Sequence, residues 1–328
     1  MKAPDISLFA LNWGSEFASR VAAALGLSLS RHEEREFDDG EHKVRPLESV
    51  RGRDVFVIQS LHAEPGGSVN DKLCRLLFFI GALKDAAAAR VTAVVPYLCY
   101  ARKDRKTQSR DPVTTRYIAR LFEGAGADRI LTVDVHNLAA YQNAFRCQTE
   151  HLQARGLFVD YFAQRVRDSS VAVVSPDVGG VKRAELFRQA MAGTLGRDVS
   201  AAFVEKQRAL GKVTTGSLVG DVRGRIAIIV DDMIGSGTTI VRAAAACRTA
   251  GALSVFAAAT HGLFVGNAQT VIAEAPVERV VVTDTVPPFR ITEPAARARL
   301  EILDIAQLLA EAIRRMNSNE SLVELDLA

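Results

Sequence analysis

The sequence predicts an α/β architecture of mainly parallel sheets flanked by helices, and three observations carry that prediction. Short β-branched runs alternate with longer, alanine-rich amphipathic stretches, the order that builds βαβ units. Small and polar residues gather directly after several of the apolar runs, where open α/β sheets bind ligands. The chain has 328 residues, 48% hydrophobic and 24% charged, enough for two cores at about 100–200 residues per domain.

The strands read as Asp54–Gln59, Val91–Pro96, Ile130–Val133, Val171–Ser175, Ile226–Val230, Val255–Thr260 and Val280–Thr283. The helical patterns between and after them are Glu16–Leu25, Val69–Ala87, Thr114–Gly124, Gly180–Met191, Thr238–Gly251 and Asp304–Asn317. Gly26, Gly124 and Gly251 stand at helix ends, where a left-handed cap removes the Cβ penalty. No low-complexity linker divides the chain. The least regular stretch, about Asn143–Gly156, predicts a boundary between domains 1–150 and 151–328, with the last helix in the second. The two halves also rhyme in their strand–turn–helix runs, as a duplicated domain would.

Forty-one Lys and Arg against 38 Asp and Glu leave a net charge of +3, too mild for a general polyanion binder, so no nucleic-acid partner is expected. Cys74, Cys99, Cys147 and Cys247 stand far apart without a C-x-x-C pair, which fits neither a zinc site nor a disulfide framework. No apolar signal region opens the chain, and no run of 18 apolar residues occurs. The expectation is a soluble, cytoplasmic protein without a membrane partner.

The segment IAIIVDDMIGSGTTIVRAAAACRTAGA carries the strongest signal. A buried strand, Ile226–Val230, delivers two carboxylates, Asp231 and Asp232, at its C-terminal end. Gly235, Ser236, Gly237, Thr238 and Thr239 then offer small side chains, hydroxyls and backbone N–H groups at a helix N-terminus, a cradle for a phosphate. The carboxylates suit the two vicinal hydroxyls of a ribose whose 5′-phosphate fills the cradle. The plainer reading is a strand-to-helix turn in which Asp232 or Ser236 only caps, but a cap does not require two adjacent carboxylates and five small residues. No G-x-x-x-x-G-K-[ST] loop is present, and EGAGADRI lacks the third glycine of a dinucleotide fingerprint.

Four other constellations have local readings of their own. Arg102, Lys103, Arg105, Lys106 and Arg110 put five cations in nine positions after a strand; they read as a solvated loop or as a triphosphate site, with Asp104 and Asp111 as internal offsets. Phe37–Glu41 reads as a turn with Asp39-Gly40 at its tip. His136 and Asp177 each follow a strand, where both structural and ligand roles are open. Glu205-Lys206-Gln207-Arg208 opens a polar, small-residue loop.

IVDDMIGSGTT resembles the phosphoribosyl pyrophosphate signature of type I phosphoribosyltransferase folds. FDDGEHKVRPLESVRGRDVFVIQS, VNDKLCRLLFFIGALKDAAAARVTAVVPYLCYARKDRK, VDVHN, VSPDVGGVKRAELF, EKQR and GDVRGRIAIIVDDMIGSGTT follow in the order found in the ribose-phosphate pyrophosphokinase family, and the similarity covers nearly the whole chain. The resemblance implies two tandem phosphoribosyltransferase-like domains. It also implies transfer of the diphosphoryl group of ATP to the C1 hydroxyl of ribose 5-phosphate, with Mg²⁺ as cofactor. By the same resemblance Phe37, Asp39, Gly40 and Glu41 reach a neighbouring subunit's ATP, Arg102 and Lys103 bind ATP, and His136 and Asp177 bind Mg²⁺ on its phosphates. Asp231, Asp232 and Gly235–Thr239 hold ribose 5-phosphate, and Lys206 and Arg208 belong to a catalytic loop, Arg208 also touching ribose 5-phosphate. The family assembles dimers into hexamers, so a homo-oligomer is implied. This chain departs from the usual pattern at Lys103, where family members carry Gln, and at Gly235 and Thr238, where many carry Asp and Gly; altered affinity for ribose 5-phosphate is expected. A phosphoribosyltransferase and a non-catalytic regulatory homologue are the other two classes consistent with the cradle.

Overall fold

The computed structural model describes residues 5–205, 208–209, 212–213 and 217–327. It divides into two units, Met1–Gln153 with Ile305–Ala328, and Ala154–Asp304.

The first unit contains the strands β1 (Ile6–Ala10), β2 (His32–Glu36), β3 (His42–Pro46), β4 (Asp54–Ile58), β5 (Arg90–Val95), β6 (Arg129–Val133) and β7 (Gln148–Leu152). Its first helices are α1 (Ser15–Ala24), α2 (Val69–Asp85), α3 (Thr114–Gly124) and α4 (Leu138–Ala144). Five strands form a sheet of order β1-β4-β5-β6-β7 in which every neighbouring pair is parallel. β4 shows why: Asp-Val-Phe-Val-Ile is buried at every position, as a strand covered on both faces must be. α2 begins with a reciprocal cap, in which Ser68 Oγ accepts from the Asp71 amide and Asp71 accepts from the Ser68 amide. Its Leu73, Leu76, Phe79, Ile80 and Leu83 then enter the core, where Phe79 meets Phe9 edge-on at 5.2 Å between centroids. β2 and β3 form a separate antiparallel hairpin, a pairing the expected turn at Phe37–Glu41 did not include.

One expected helix stop is corrected. Gly124 is the last residue of α3, and Gly126 takes the left-handed conformation at φ 95° instead, because Ala125 still has helical geometry. Gly26 and Gly251 do adopt positive φ, 68° and 91°.

The second unit contains α5 (Arg155–Arg165), β8 (Val171–Ser175), α6 (Val181–Leu195), β9 (Ser200–Glu205), the short pair β10 (Arg208–Ala209) and β11 (Lys212–Val213), β12 (Ser217–Gly220) and β13 (Ile226–Ile234). α7 (Thr238–Thr249), β14 (Ser254–Gly262), α8 (Ala268–Glu274), β15 (Arg279–Thr283), α9 (Pro294–Arg297) and β16 (Leu300–Leu303) complete it. The seven-stranded sheet has the order β12-β9-β8-β13-β14-β15-β16 and is parallel except at its edge, where β12 runs against β9. From β8 the chain steps to β9 on one side; from β13 it steps to β14 on the other. The boundary between β8 and β13 is therefore a topological switch point, where α/β sheets open a ligand crevice. The rhyme between the halves does not extend to their sheets, which differ in strand number and path.

The expected assignment of the last helix to the second domain is also corrected. α10 (Ala306–Ser318) and α11 (Val323–Leu327) belong to the first unit. α10 buries Ala306, Leu309, Ala310, Ile313, Met316 and Asn317, one stripe at helical spacing. It also completes a polar lock at the N-terminal ends of the strands. Asp54, fully buried, accepts from Arg90 Nε at 2.9 Å, from Arg129 at 3.4 Å and from Asn317 Nδ2 at 3.1 Å, while Arg129 donates to the Met316 carbonyl at 3.2 Å. A buried carboxylate needs such partners, and α10 supplies one of them.

Candidate active site

In the second unit the candidate site residues follow or lie on the two strands that flank the switch point. β13 is longer than expected, Ile226–Ile234 rather than Ile226–Val230, so the acidic pair lies within the strand. Its pairing explains how carboxylates can sit there. The ladder to β8 ends at Ile229–Val174, whereas the ladder to β14 continues to Ile234–Gly262. From Val230 onward one edge of β13 faces the crevice instead of a neighbouring strand.

Asp231 and Asp232 share one cation that the sequence reading did not single out. Arg183, in the first turn of α6, places Nη1 3.4 Å from Asp231 Oδ1 and 3.3 Å from Asp232 Oδ1. Asp232 keeps only 4% of its side-chain surface exposed. Burial, and then the adjacent Asp232 carboxylate, hold the Asp231 carboxyl well above the usual range; Arg183 opposes them without cancelling them. Two acidic side chains and the Arg183 guanidinium thus gather at the crevice edge of β13, with the Asp231 carboxyl held protonated to higher pH than an ordinary aspartate. Arg183 was legible in VSPDVGGVKRAELF as a cation six residues beyond Asp177, but its target on another strand was not.

The cradle follows directly. Gly237, at φ 79°, is the N-cap of α7 and brings no side chain to cap it, and the Ser236 hydroxyl pairs with that of Thr238. Ser236 and Thr238, both exposed, place their hydroxyl oxygens 2.5 Å apart. Thr238 begins the helix and is not among the described residues with positive φ, so its β-branched side chain carries no backbone strain. A Cβ at Gly235 would meet nothing nearer than Val265 Cγ2 at 3.9 Å, ordinary contact. The loop after β14 braces this turn: the Leu263 and Phe264 amides donate to the Ile234 carbonyl, and the Val265 amide to that of Gly235. That brace, THGLFVG in the sequence, was not predicted.

Asp177 lies beyond β8, and its Oδ1 accepts from the Gly179 and Gly180 amides at 3.0 and 3.3 Å, starting the turn that enters α6. Ser175 Oγ lies 2.7 Å from where a Gly180 Cβ would be, which is why glycine stands there. Glu205 and Ser217 pair across β9 and β12, so the segment between them leaves and returns at adjacent points. Gly220, at φ 110°, lets β12 approach β9; a Cβ there would lie 2.5 Å from the Ala201 carbonyl. Lys206 and the side chain of Arg208 lie outside the described residues.

In the first unit three predicted groups fall on loops and a hairpin. The basic loop follows β5. Lys103 Nζ lies 2.5 Å from Asp111 Oδ2 and 2.8 Å from Thr107 Oγ1, whereas Arg102 is exposed. Asp104 accepts from Asn137 Nδ2 at 2.5 Å, and Asn137 caps α4 through the Ala140 amide. The loops after the neighbouring strands β5 and β6 are thereby tied together, with exposed His136 beside Asn137. Phe37, Asp39, Gly40 and Glu41 form the tip of the β2–β3 hairpin. The Phe37 amide donates to the Glu41 carbonyl, the Glu41 amide to Asp39 Oδ1, and Gly40 has φ 88°. Phe37 is 41% exposed, with the Arg35 guanidinium 5.2 Å from its ring centroid. At the hairpin base Glu34 Oε1 accepts from the Asn12 amide at 2.7 Å and lies 2.9 Å from His32 Nε2. The tip therefore projects from an anchored stem.

Among the described residues no helix is long and apolar enough to cross a membrane. Residues 6–126 match the family described as the N-terminal domain of ribose phosphate pyrophosphokinase, and residues 197–326 match the phosphoribosyl synthetase-associated domain. Ribose-phosphate pyrophosphokinase 1 of Streptococcus pyogenes serotype M3 is 38% identical over 328 residues, 98% of each chain. Ribose-phosphate pyrophosphokinase of Caldanaerobacter subterraneus subsp. tengcongensis is 39% identical over 322 residues, again 98% of each. The crystal structure of phosphoribosylpyrophosphate synthetase from Mycobacterium smegmatis superposes with a TM-score of 0.86 at 39% identity, covering 96% of this chain and 99% of that one. Similarity of this extent, over both units and their loops, identifies the chain as a member of the ribose-phosphate pyrophosphokinase family.

Proposed function

We propose that this chain transfers the β,γ-diphosphoryl group of ATP to the C1 hydroxyl of ribose 5-phosphate, giving 5-phosphoribosyl 1-diphosphate and AMP for nucleotide biosynthesis. The observation that carries this reading is the Asp231–Asp232 pair beside the switch point, its Asp231 carboxyl held above the usual range, directly upstream of the small-residue turn that opens α7.

The carboxylates accept the ribose hydroxyls, and the Gly235–Thr239 backbone and hydroxyls take the 5-phosphate. Arg102, with the loop that carries it, holds the ATP phosphates. Phe37, Asp39, Gly40 and Glu41 contact the adenosine of a neighbouring subunit, so the working form is a homo-oligomer built from dimers, up to a hexamer. The C1 oxygen attacks the β-phosphorus; the bond from that phosphorus to the oxygen bridging it to the α-phosphorus breaks, AMP keeps that oxygen, and the hydroxyl proton passes to solvent water. Lys206 and Arg208 meet the charge that develops on the transferred group, since phosphoryl transfer relies on alignment and charge neutralisation.

The half-buried Asp177 carboxylate, at a C-terminal strand end of the second unit, suits an ion that keeps most of its waters and uses few protein ligands, and the exposed His136 imidazole of the first unit, also at a C-terminal strand end, is a second donor of the same kind. Mg²⁺ bound there would neutralise phosphate charge.

AMP release from ATP and ribose 5-phosphate with Mg²⁺ tests the reading beside Lys206→Ala. The expected result is product formation with kcat lowered about 10²–10³-fold in the variant. ATP binding without AMP release would make the chain a non-catalytic nucleotide-binding homologue. Pyrophosphate release only on adding a base would make it a phosphoribosyltransferase.

A further inference from the structure

We infer that Asp111 is the positioning residue of the basic loop and that Lys103 acts through it, as a clasp within the loop, instead of contacting the nucleotide. The inference rests on the reading that this loop holds ATP.

A single oxygen, Asp111 Oδ2, gathers four donors: Lys103 Nζ at 2.5 Å, Thr107 Oγ1 at 2.8 Å, and the Thr107 and Gln108 amides at 2.9 Å each. Lys103 Nζ makes a second contact to Thr107 Oγ1 at 2.8 Å. The Lys103 carbonyl in turn accepts from the Thr115 amide at 3.4 Å and hydroxyl at 3.3 Å, which moors the start of the clasp to α3. Together these contacts close the segment 103–111 upon itself. Hydrogen bonds from Lys103 and Thr107 hold the Asp111 carboxyl far below its usual range, so it stays charged across working pH.

The clasp addresses the electrostatic problem posed by five cations in nine positions. Lys103 is neutralised inside the loop, and Arg102, Arg105, Lys106 and Arg110 remain exposed at its surface. A loop ordered before the ligand arrives loses less conformational freedom on binding, so the clasp lowers the cost of holding a polyphosphate. Arg110, with φ 68°, turns the backbone immediately before Asp111 and brings the carboxylate back over residues 103–108.

The test is a double-mutant cycle on KM for ATP, using the full chain and AMP release. Asp111→Ala is expected to raise KM for ATP about tenfold, with kcat and KM for ribose 5-phosphate within about twofold. Lys103→Gln is expected to raise it about threefold or less, and the double variant to match Asp111→Ala. Asp111→Asn, which keeps the shape but not the charge, falls between the two. An unchanged KM in Asp111→Ala overturns the inference. So does a Lys103→Gln effect that multiplies fully with Asp111→Ala, because Lys103 would then act on the nucleotide directly. Arg102→Ala separates this from the underlying reading: if it too leaves KM for ATP unchanged, the loop does not hold ATP at all.

Discussion

The two units handle buried carboxylates in opposite ways at opposite ends of their sheets. In the first unit Asp54, Arg90 and Arg129 are each the first residue of a parallel strand, and the carboxylate between them is fully supplied with donors, one of them from α10. In the second unit Asp231 and Asp232 lie toward the C-terminal end of β13 and share one guanidinium. The first arrangement closes a fold; the second holds the Asp231 carboxyl above its usual range at the crevice edge of the sheet. The two carboxylate clusters thus lie at opposite ends of their sheets, and the C-terminal end is the one where α/β sheets open a ligand crevice.

The largest effect that could break this contrast is expected at Asp54. Asp54→Ala removes the anion and leaves Arg129 buried without it, at a cost of about 3–5 kcal/mol. For a protein of this size the melting temperature should fall by roughly 10 °C. A loss below about 1 kcal/mol in denaturant titration would show that the lock is dispensable.

Arg183→Ala should act on function instead. With the shared cation gone, the two carboxylates repel and no longer hold the geometry a ribose needs. KM for ribose 5-phosphate should rise about tenfold while KM for ATP changes little. An equal rise in both constants would show that Arg183 supports the whole site and not the sugar side.

The smallest effect is on stability at Asp231, and its sign sharpens the comparison. The folded protein holds the Asp231 proton more tightly than the unfolded chain does, because burial and Asp232 raise its pKa. Its contribution therefore declines as pH rises from the ordinary aspartate value, about 4, through the raised one. Asp231→Asn should be more stable than the parent by about 1 kcal/mol above that window and no more stable below it, while losing affinity for ribose 5-phosphate. Denaturation midpoints at acid and slightly alkaline pH check this; a variant less stable at alkaline pH would place Asp231 with Asp54 among the structural charges.

Much of the candidate site was legible because its residues are contiguous. IIVDDMIGSGTT presents strand, carboxylates and cradle in one run, and local rules of burial, capping and small-residue turns read it directly. What was missed is long-range. Arg183 is 48 residues from Asp231, and the brace at Leu263–Val265 comes from a neighbouring strand's end. Lys103 illustrates the same limit in part: the sequence offered Asp104 and Asp111 as offsets for the basic loop, and the fold assigned Asp111 to Lys103 while Asp104 accepts from Asn137.

By itself the sequence determined the α/β class, the central buried strands and the longer helices, and the carboxylate pair with the small-residue turn after it, since periodicity and turn chemistry act over a few residues; β1–β3, β7, β9–β12 and β16 were not read from it. Tertiary structure alone decided that the last helix returns to the first unit and that the second sheet reverses between β8 and β13. The reason is physical. Which strands pair, and which helix covers a face, depends on burial summed over the whole unit, and neighbouring residues carry no record of that sum.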